Sequence, residues 1–214
     1  MGLSLGEYSA LCFAGAITFE DGVKITKVRG EAMQAASDAA DSGMVSVIGL
    51  DEQKTKDLCK AAEEKSGEKI AIANYLCKGN YAVSGGSKAC EAVKALAKPE
   101  FGARMTVPLS VAGAFHTDFM SPAVEKLADV LSGIEVKEPR IPVISNVDCA
   151  PHSDPQEIKD ILTTQVTSPV LWEETMRKIL SMDFQEGYEL GPGKVIAGVM
   201  KRIDKKAKIT NVEV

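Results

Sequence analysis

The chain has 214 residues, of which 45% are hydrophobic and 26% charged, and its formal net charge is −5. This composition is that of a globular protein with one large or two modest domains, and it excludes a disordered chain, a collagen-like repeat or a coiled coil. The net negative charge argues against general nucleic-acid binding, which needs a basic face to neutralise phosphates.

The N-terminal part of the chain predicts two helices. Residues 4–14 have the apolar pattern of a short buried helix. Thr18, with Asp21 three residues later, is typical of the N-cap of a second helix. This helix is predicted to run towards Asp38 and to carry Arg29.

From about Met44 the pattern predicts strands and helices in the order β-α-β-β-α-β. The predicted elements are a strand over 45–50, a helix over 51–65, strands over 69–76 and 80–84, a helix over 87–97 and a strand over 104–111. This order is the ferredoxin-like split βαβ pattern. We interpret residues 44–110 as a small domain inserted into a larger one, which comprises residues 1–43 and 111–214.

The rest of the chain alternates helical patterns with short apolar runs. We predict helices over 120–134, from 154, over 172–182 and over 194–203, and strands over 141–147, 187–190 and 209–214. Strands that alternate with helices predict a largely parallel sheet covered on both faces. The predicted fold class is therefore α/β.

The cysteine content favours a reducing compartment. The chain has five cysteines, an odd number, and no C-x-x-C pair. We therefore expect neither a disulfide framework nor a structural zinc site. No apolar run approaches the roughly 18 residues of a membrane span, so we expect no membrane partner.

Residues 2–6, Gly-Leu-Ser-Leu-Gly, fit the pattern G-x-S-x-G. In this motif a sharp turn exposes a serine oxygen at a helix N-terminus. The backbone N–H of the next residue, here Leu5, can then stabilise an oxyanion. Three fixed positions are a weak signal, and a plain helix start at Ser4 is the alternative.

A serine nucleophile needs a base, and the chain has two histidines. His152 lies in the turn-rich stretch 149–155, which is typical of an exposed loop. His116 follows the apolar run 111–115 at a strand-to-loop transition, where catalytic groups tend to lie; a structural histidine is the alternative. Arg29 is either a surface arginine with a packed stem or a guanidinium that binds a substrate carboxylate through two hydrogen bonds.

Seven stretches, in order along the whole chain, together resemble one family. They are Gly-Leu-Ser-Leu-Gly-Glu-Tyr-Ser-Ala-Leu (2–11), Val-Arg-Gly-Glu-Ala-Met-Gln (28–34), Val-Ile-Gly-Leu-Asp (47–51), Ala-Val-Ser-Gly-Gly (82–86), Gly-Ala-Phe-His-Thr (113–117), Pro-Val-Ile-Ser-Asn-Val (142–147) and Tyr-Glu-Leu-Gly-Pro-Gly-Lys-Val (188–195). The chain resembles the malonyl-CoA:acyl carrier protein transacylases. The resemblance implies an α/β-hydrolase-like core with a ferredoxin-like subdomain.

The resemblance also implies a role for each candidate residue. Ser4 is the nucleophile that becomes malonylated, and His116 takes its proton and returns it to the departing CoA thiolate. Arg29 pairs with the free malonyl carboxylate, and the Leu5 N–H is an oxyanion donor. The backbone carbonyl of Gln165 orients the histidine. The implied reaction is a ping-pong transfer of malonyl from malonyl-CoA to acyl carrier protein in fatty acid biosynthesis, with no cofactor and no metal.

Other positions refine the resemblance or depart from it. Phe115 resembles the malonyl-selective members, because a bulky ring there would crowd an α-methyl group. Leu3 and residues 72–77 resemble the plant and algal plastid branch, which implies the plastid stroma, with the cytoplasm as the alternative. That branch usually has proline in place of Lys78. The family's glutamine-rich oxyanion loop and the strand before the serine are not in this sequence. We therefore expect one oxyanion donor to be lacking, a loss that typically costs ~10²–10³ in turnover.

A basic cluster near the C-terminus contrasts with the acidic chain. It consists of Lys201, Arg202, Lys205, Lys206 and Lys208. Because acyl carrier proteins are acidic, we expect the cluster to help to steer the carrier protein; a solvated helix face is the alternative. Two other functions stay open at this point, a serine hydrolase or thioesterase of the same fold and a truncated, non-catalytic protein that binds the carrier or CoA.

Overall fold

The structure is a computed structural model that describes residues 1–213. Its helices are α1 (Leu5–Phe13), α2 (Phe19–Asp38), α3 (Glu52–Ser66), α4 (Ser87–Leu96), α5 (Ser121–Ser132), α6 (Pro155–Gln165), α7 (Trp172–Leu180) and α8 (Val195–Ile203). Its strands are β1 (Ser42–Ile48), β2 (Ile70–Cys77), β3 (Asn80–Gly86), β4 (Met105–Pro108), β5 (Gly187–Leu190) and β6 (Ile209–Val212). Val214, the last residue of the predicted strand 209–214, lies outside the described residues.

Strands β1 to β4 form one antiparallel sheet in the order β2-β3-β1-β4. The element order of this segment is the predicted β-α-β-β-α-β. Helices α3 and α4 pack on the sheet around the fully buried Leu58, Val83 and Val93. Strand β4 ends earlier than predicted, at Pro108.

Helices α1, α2, α5 and α6 pack around a second hydrophobic cluster. Its largest buried side chains are Tyr8, Leu11, Ile25, Met33, Leu127, Leu131 and Leu162. The predicted cap at the start of α2 is present, since the Thr18 hydroxyl accepts a hydrogen bond from the Asp21 N–H at 3.1 Å. Because these helices pack tightly, the first turn of α1 is held against the middle of α2 and the end of α6, where the candidate residues lie.

The described residues combine helices and strands, as the predicted α/β class requires. They do not contain the predicted largely parallel sheet. Within residues 1–213, parallel pairing is confined to the two strands β5 and β6 and to one bridge between Asn74 and Val170. The predicted strand 141–147 is also absent, and Ile144 makes only a single antiparallel bridge to Pro151.

The physical reason is that no strand in the described range lies alongside residues 141–147. A parallel strand needs a neighbour that bonds at regular intervals. In this segment the backbone groups instead find partners one at a time: the Asn146 carbonyl accepts from the Leu171 N–H, and the Asn146 N–H donates to Glu7. The segment is a buried connection whose polar atoms are used at the candidate site.

Helices α7 and α8 pack beside β2 around the buried Trp172, Met176 and Met200. The five cysteines carry free thiols. Among residues 1–213, no helix combines the length and the apolar character that a membrane span requires.

Candidate active site

Ser4 lies in the sharp turn that precedes α1. Its backbone angles are φ 48° and ψ −103°, a combination that non-glycine residues rarely adopt. Gly2 makes this turn possible, because a Cβ atom there would lie 1.9 Å from the carbonyl oxygen of Gly6. Gly6 itself faces open space. Of the two glycines in the motif, only the first is therefore required by close approach of the backbone.

Ser4 and His116 form a hydrogen-bonded pair. The Ser4 Oγ atom lies 2.8 Å from His116 Nε2, and His116 Nδ1 lies 2.9 Å from the backbone carbonyl oxygen of Gln165. Because a carbonyl oxygen can only accept, Nδ1 carries the proton and Nε2 faces the serine hydroxyl as an acceptor. This contact of Gln165 is the one that the resemblance implies.

His116 is in the protonation state that a general base needs. Burial, together with the nearby positive charge of Arg29, lowers the pKa of His116 to about 4. The imidazole is therefore neutral at pH 7 and can accept a proton. The histidine is only 4% exposed. Its backbone N–H donates to the Val166 carbonyl at 3.1 Å, which holds this loop against the end of α6.

Arg29 is buried beside the serine, so the surface interpretation is wrong. Its Nη2 atom lies 3.0 Å from Ser4 Oγ and 3.3 Å from Gln165 Oε1. Its Cζ atom lies 5.4 Å from the centre of the Tyr8 ring, a cation–π distance. The Arg29 Nε atom is buried and has no hydrogen-bond acceptor within the described residues. A buried donor without an acceptor is costly.

The predicted oxyanion donor and the predicted specificity residue are the sequence neighbours of Ser4 and His116. Leu5 is the first residue of α1, so its N–H has no acceptor within the helix. Phe115, next to His116, is half-buried between two hydrophobic clusters. A cavity of about 220 Å³ opens beside His116 between β2 and the loop over 116–119, and Phe119, but not Phe115, is among the residues that line it.

Two buried residues at the site, Asn146 and Glu7, were not predicted from the sequence. The Ser4 N–H donates to Asn146 Oδ1 at 2.6 Å, and Asn146 Nδ2 donates to the Gly2 carbonyl at 2.8 Å. Glu7 Oε2 accepts from Gln165 Nε2 at 2.7 Å and from the Asn146 N–H at 3.1 Å. A sequence signal existed for both, since Glu7 is the single charge in an otherwise uncharged helix and Asn146 interrupts an apolar run.

The remaining candidates lie elsewhere. His152 contacts the carboxylates of Asp148 and Glu157 at 2.8 and 3.0 Å, so it is half-buried between acids rather than free in a loop. Lys201 and Arg202 are exposed in the last turn of α8, and Lys205, Lys206 and Lys208 are exposed after it. Over residues 1–213, no three His, Cys, Asp or Glu side chains are grouped as a metal ion would need.

Comparison with known proteins places the chain among acyl transferases. Residues 1–213 match the family model described as acyl transferase domain. The chain is 39% identical over 207 residues to the malonyl CoA-acyl carrier protein transacylase of Bacillus subtilis, and the alignment covers 97% of this chain and 65% of that protein. It is 39% identical over 218 residues to the mitochondrial transacylase of Mus musculus, with 96% of the chain and 56% of that protein covered.

Solved structures give the same picture. The malonyl CoA-acyl carrier protein transacylase of Coxiella burnetii superposes with a TM-score of 0.93 at 35% identity, over 98% of this chain and 65% of that one. The acyl carrier protein S-malonyltransferase of Vibrio cholerae gives a TM-score of 0.92 at 38% identity, over 99% and 69%. A malonyl-transacylase solved in complex with a type II polyketide acyl carrier protein gives a TM-score of 0.91 at 34% identity, over 99% of this chain and 67% of that one. The chain spans less than two thirds of the length of the two curated relatives above.

Proposed function

The chain belongs to the acyl transferase domain family, and we propose that it moves malonyl from malonyl-CoA to the phosphopantetheine thiol of acyl carrier protein through an ester on Ser4. One observation carries the proposal. The Ser4 Oγ atom lies between a neutral base, His116 Nε2 at 2.8 Å, and a buried cation, Arg29 Nη2 at 3.0 Å. The relatives named above, all malonyl transacylases, support the same activity.

The first half of the reaction loads the serine. His116 Nε2 accepts the Ser4 proton while Oγ forms a bond to the thioester carbonyl carbon. The N–H of Leu5 stabilises the negative charge on the carbonyl oxygen. When the carbon–sulfur bond breaks, the histidine returns the proton to the CoA thiolate, and malonyl-Ser4 is left.

The second half repeats these steps with another thiol. His116 takes the proton of the phosphopantetheine thiol, the sulfur attacks the ester carbonyl, and the proton passes to the Ser4 oxygen as it leaves. The imidazolium formed in each half keeps its Nδ1–H bond to the neutral Gln165 carbonyl. Because no carboxylate holds the imidazolium, the proton is returned readily. The steps use only groups of the chain and its two substrates, so we propose no cofactor and no metal.

Arg29 selects an acyl group that carries a carboxylate. The malonyl carboxylate is an acceptor that can satisfy the unpartnered Nε atom together with an Nη atom, in the parallel arrangement typical of arginine–carboxylate pairs. Charge-assisted hydrogen bonds of this kind are worth about 1.5–3 kcal/mol each. A neutral acyl group such as acetyl would leave the buried donor without an acceptor.

The finer organisation is part of the same proposal. We infer that residues 44–110 form a ferredoxin-like small domain within an acyltransferase domain over 1–43 and 111–214, supported by the sheet order β2-β3-β1-β4. We also infer a role in fatty acid biosynthesis. The plastid stroma is proposed as the compartment on the resemblance of Leu3 and residues 72–77 to the plastid branch.

The test is to detect and chase the Ser4 ester. The chain is mixed with malonyl-CoA, quenched at set times and measured by intact-mass and peptide mass spectrometry, with Ser4→Ala as the control. We expect one malonyl group on Ser4 and its transfer when the phosphopantetheinylated carrier protein is added. Loss of the adduct to water at the same rate without carrier would indicate a hydrolase or thioesterase, and CoA binding without an adduct would indicate a non-catalytic binding protein.

A further inference from the structure

Glu7 is a buried carboxylate that the proposed reaction steps do not use. It lies one turn after Ser4 on α1 and is only 3% exposed. Its Oε2 atom accepts two hydrogen bonds, from Gln165 Nε2 at 2.7 Å and from the Asn146 N–H at 3.1 Å. Burial raises the pKa of Glu7 to about 7, so this carboxylate has a cost to folding that an apolar side chain would avoid.

Each of the two donors holds one side of the reacting pair. Asn146 accepts from the Ser4 N–H and donates to the Gly2 carbonyl, which fixes the strained turn of the nucleophile. Gln165 accepts from His116 through its backbone carbonyl and from Arg29 through its side chain. A single oxygen atom of Glu7 therefore joins the part of the site that holds the serine to the part that holds the base and the arginine.

We propose that Glu7 is a positioning residue, whose Oε2 atom holds Asn146 and Gln165 so that the Ser4 hydroxyl stays at proton-transfer distance from His116. The inference deepens the proposed function and rests on it. Its physical basis is that proton transfer between Ser4 Oγ and His116 Nε2 depends on a 2.8 Å separation, and a displacement of about 1 Å can cost on the order of 10²-fold in rate.

Two substitutions separate the position of the acceptor from its charge. In Glu7→Gln, the amide oxygen can occupy the place of Oε2 and accept both bonds, while the charge is lost. In Glu7→Asp, the charge stays, but the acceptor is withdrawn by one carbon–carbon bond, about 1.5 Å. The proposal therefore expects the uncharged variant to remain fast and the charged one to become slow. Glu31→Gln, at an exposed site on α2, is the matched control.

The experiment measures how fast Ser4 is modified by two reagents, malonyl-CoA and a serine-directed fluorophosphonate. We expect Glu7→Gln and Glu31→Gln to stay within about threefold of the parent, and Glu7→Asp to lose roughly 10- to 10²-fold with both reagents. The proposal would be overturned if Ser4 were modified as slowly in Glu7→Gln as in Glu7→Asp. It would also be overturned if Ser4 were modified as fast in Glu7→Asp as in the parent. The fluorophosphonate does not depend on malonyl recognition, so failure of the proposed function alone would abolish only the reaction with malonyl-CoA.

A spectroscopic measurement distinguishes positioning from loss of the fold. The Nδ1–H proton of His116, hydrogen-bonded to the Gln165 carbonyl, gives a signal that can be followed by nitrogen-15 NMR of the histidine ring. We expect the signal to keep its position in Glu7→Gln and to shift or broaden in Glu7→Asp, with the remaining amide spectrum preserved. An unchanged His116 signal in a slow Glu7→Asp variant would contradict the inference.

Discussion

The Nη2 atom of Arg29, on α2, lies 3.0 Å from the Oγ atom of Ser4, in the turn before α1. The contact places a permanent positive charge beside the candidate nucleophile before any substrate is bound. The guanidinium is held from its other side by the Tyr8 ring, at 5.4 Å, and by Gln165. Because these two contacts hold the guanidinium, it has little freedom to turn away from Ser4.

Removal of this guanidinium should alter the choice of acyl group. We expect Arg29→Ala to lower kcat/KM for malonyl-CoA by at least about 10- to 10²-fold, the equivalent of one of the two charge-assisted hydrogen bonds that are lost. Slow loading from acetyl-CoA should not fall. Lys27→Ala, exposed on the same helix, is the control. An equal loss with both thioesters would show that Arg29 acts on the serine rather than on the substrate carboxylate.

The protonation of His116 should set the acid limit of Ser4 acylation near pH 4. The pKa of this buried histidine is lowered from 6.5 to about 4, so the neutral base persists as the pH falls through 6.5 and is lost only near 4. The measurement is the Ser4 labelling rate against pH in Glu7→Gln, in which the neighbouring carboxyl no longer titrates. Circular dichroism at each pH confirms that the chain is folded, and an inflection near 6.5 would be inconsistent with a buried base.

Replacement of His116 itself is the complementary measurement. We expect His116→Ala to slow Ser4 acylation by about 10²–10⁴-fold, the usual contribution of a general base. His152→Ala is the matched control, because this second histidine contacts Asp148 and Glu157 rather than Ser4. A similar loss in both variants would remove His116 from its proposed role.

Phe115 is predicted to exclude an α-methyl group from the acyl site. We expect the parent to prefer malonyl-CoA over methylmalonyl-CoA, and Phe115→Val to reduce that preference by roughly 10-fold or more, the usual value of one methyl group in a pocket. Phe119→Val is the informative comparison, because Phe119 lines the cavity beside His116. Relaxed selectivity in Phe119→Val alone would assign the discrimination to that ring.

The free energy of unfolding should depend on pH because of Glu7. The pKa of this carboxyl is raised from 4.5 to about 7, chiefly by burial and also by the charge of Asp148, against the hydrogen bonds from Gln165 and Asn146. The neutral form is therefore favoured by folding, and its stabilising effect is complete below pH 4.5 and lost as the pH rises through 7. In urea unfolding, we expect the advantage of Glu7→Gln over the parent to grow by about 3 kcal/mol between pH 4.5 and 8. A difference independent of pH would contradict the buried carboxyl, and Glu31→Gln should show none.

The basic cluster at the end of α8 is predicted to act on the carrier protein alone. We expect the double charge reversal Arg202→Glu and Lys205→Glu to raise KM for the carrier roughly tenfold at low salt, and the effect to shrink as salt screens the charges. KM for malonyl-CoA should not change. The control is the double variant Lys60→Glu and Lys126→Glu, which replaces two exposed lysines elsewhere and changes the net charge by the same amount. An equal rise in KM for the carrier in this variant would exclude a local docking site.

Local sequence patterns were sufficient to predict most helices and the order of elements in the four-stranded antiparallel sheet. The N-caps at Thr18 and Asp154 are local, because in each a side chain accepts from the backbone N–H three residues later. The order of elements from β1 to β4 follows from the spacing of apolar residues along the chain. The strand predicted over 141–147 failed, because an apolar run does not show whether another strand lies beside it.

The sequence by itself proposed Ser4 and His116 as the candidate nucleophile and base, from the G-x-S-x-G pattern and from the position of this histidine after an apolar run. Only the tertiary structure decided that Arg29 is buried rather than at the surface, and that Glu7 and Asn146 belong to the site. The physical reason is distance along the chain. Hydrogen bonds such as Ser4 to Asn146 and Glu7 to Gln165 join residues more than a hundred positions apart, and no local pattern encodes which distant partner will satisfy a buried polar atom.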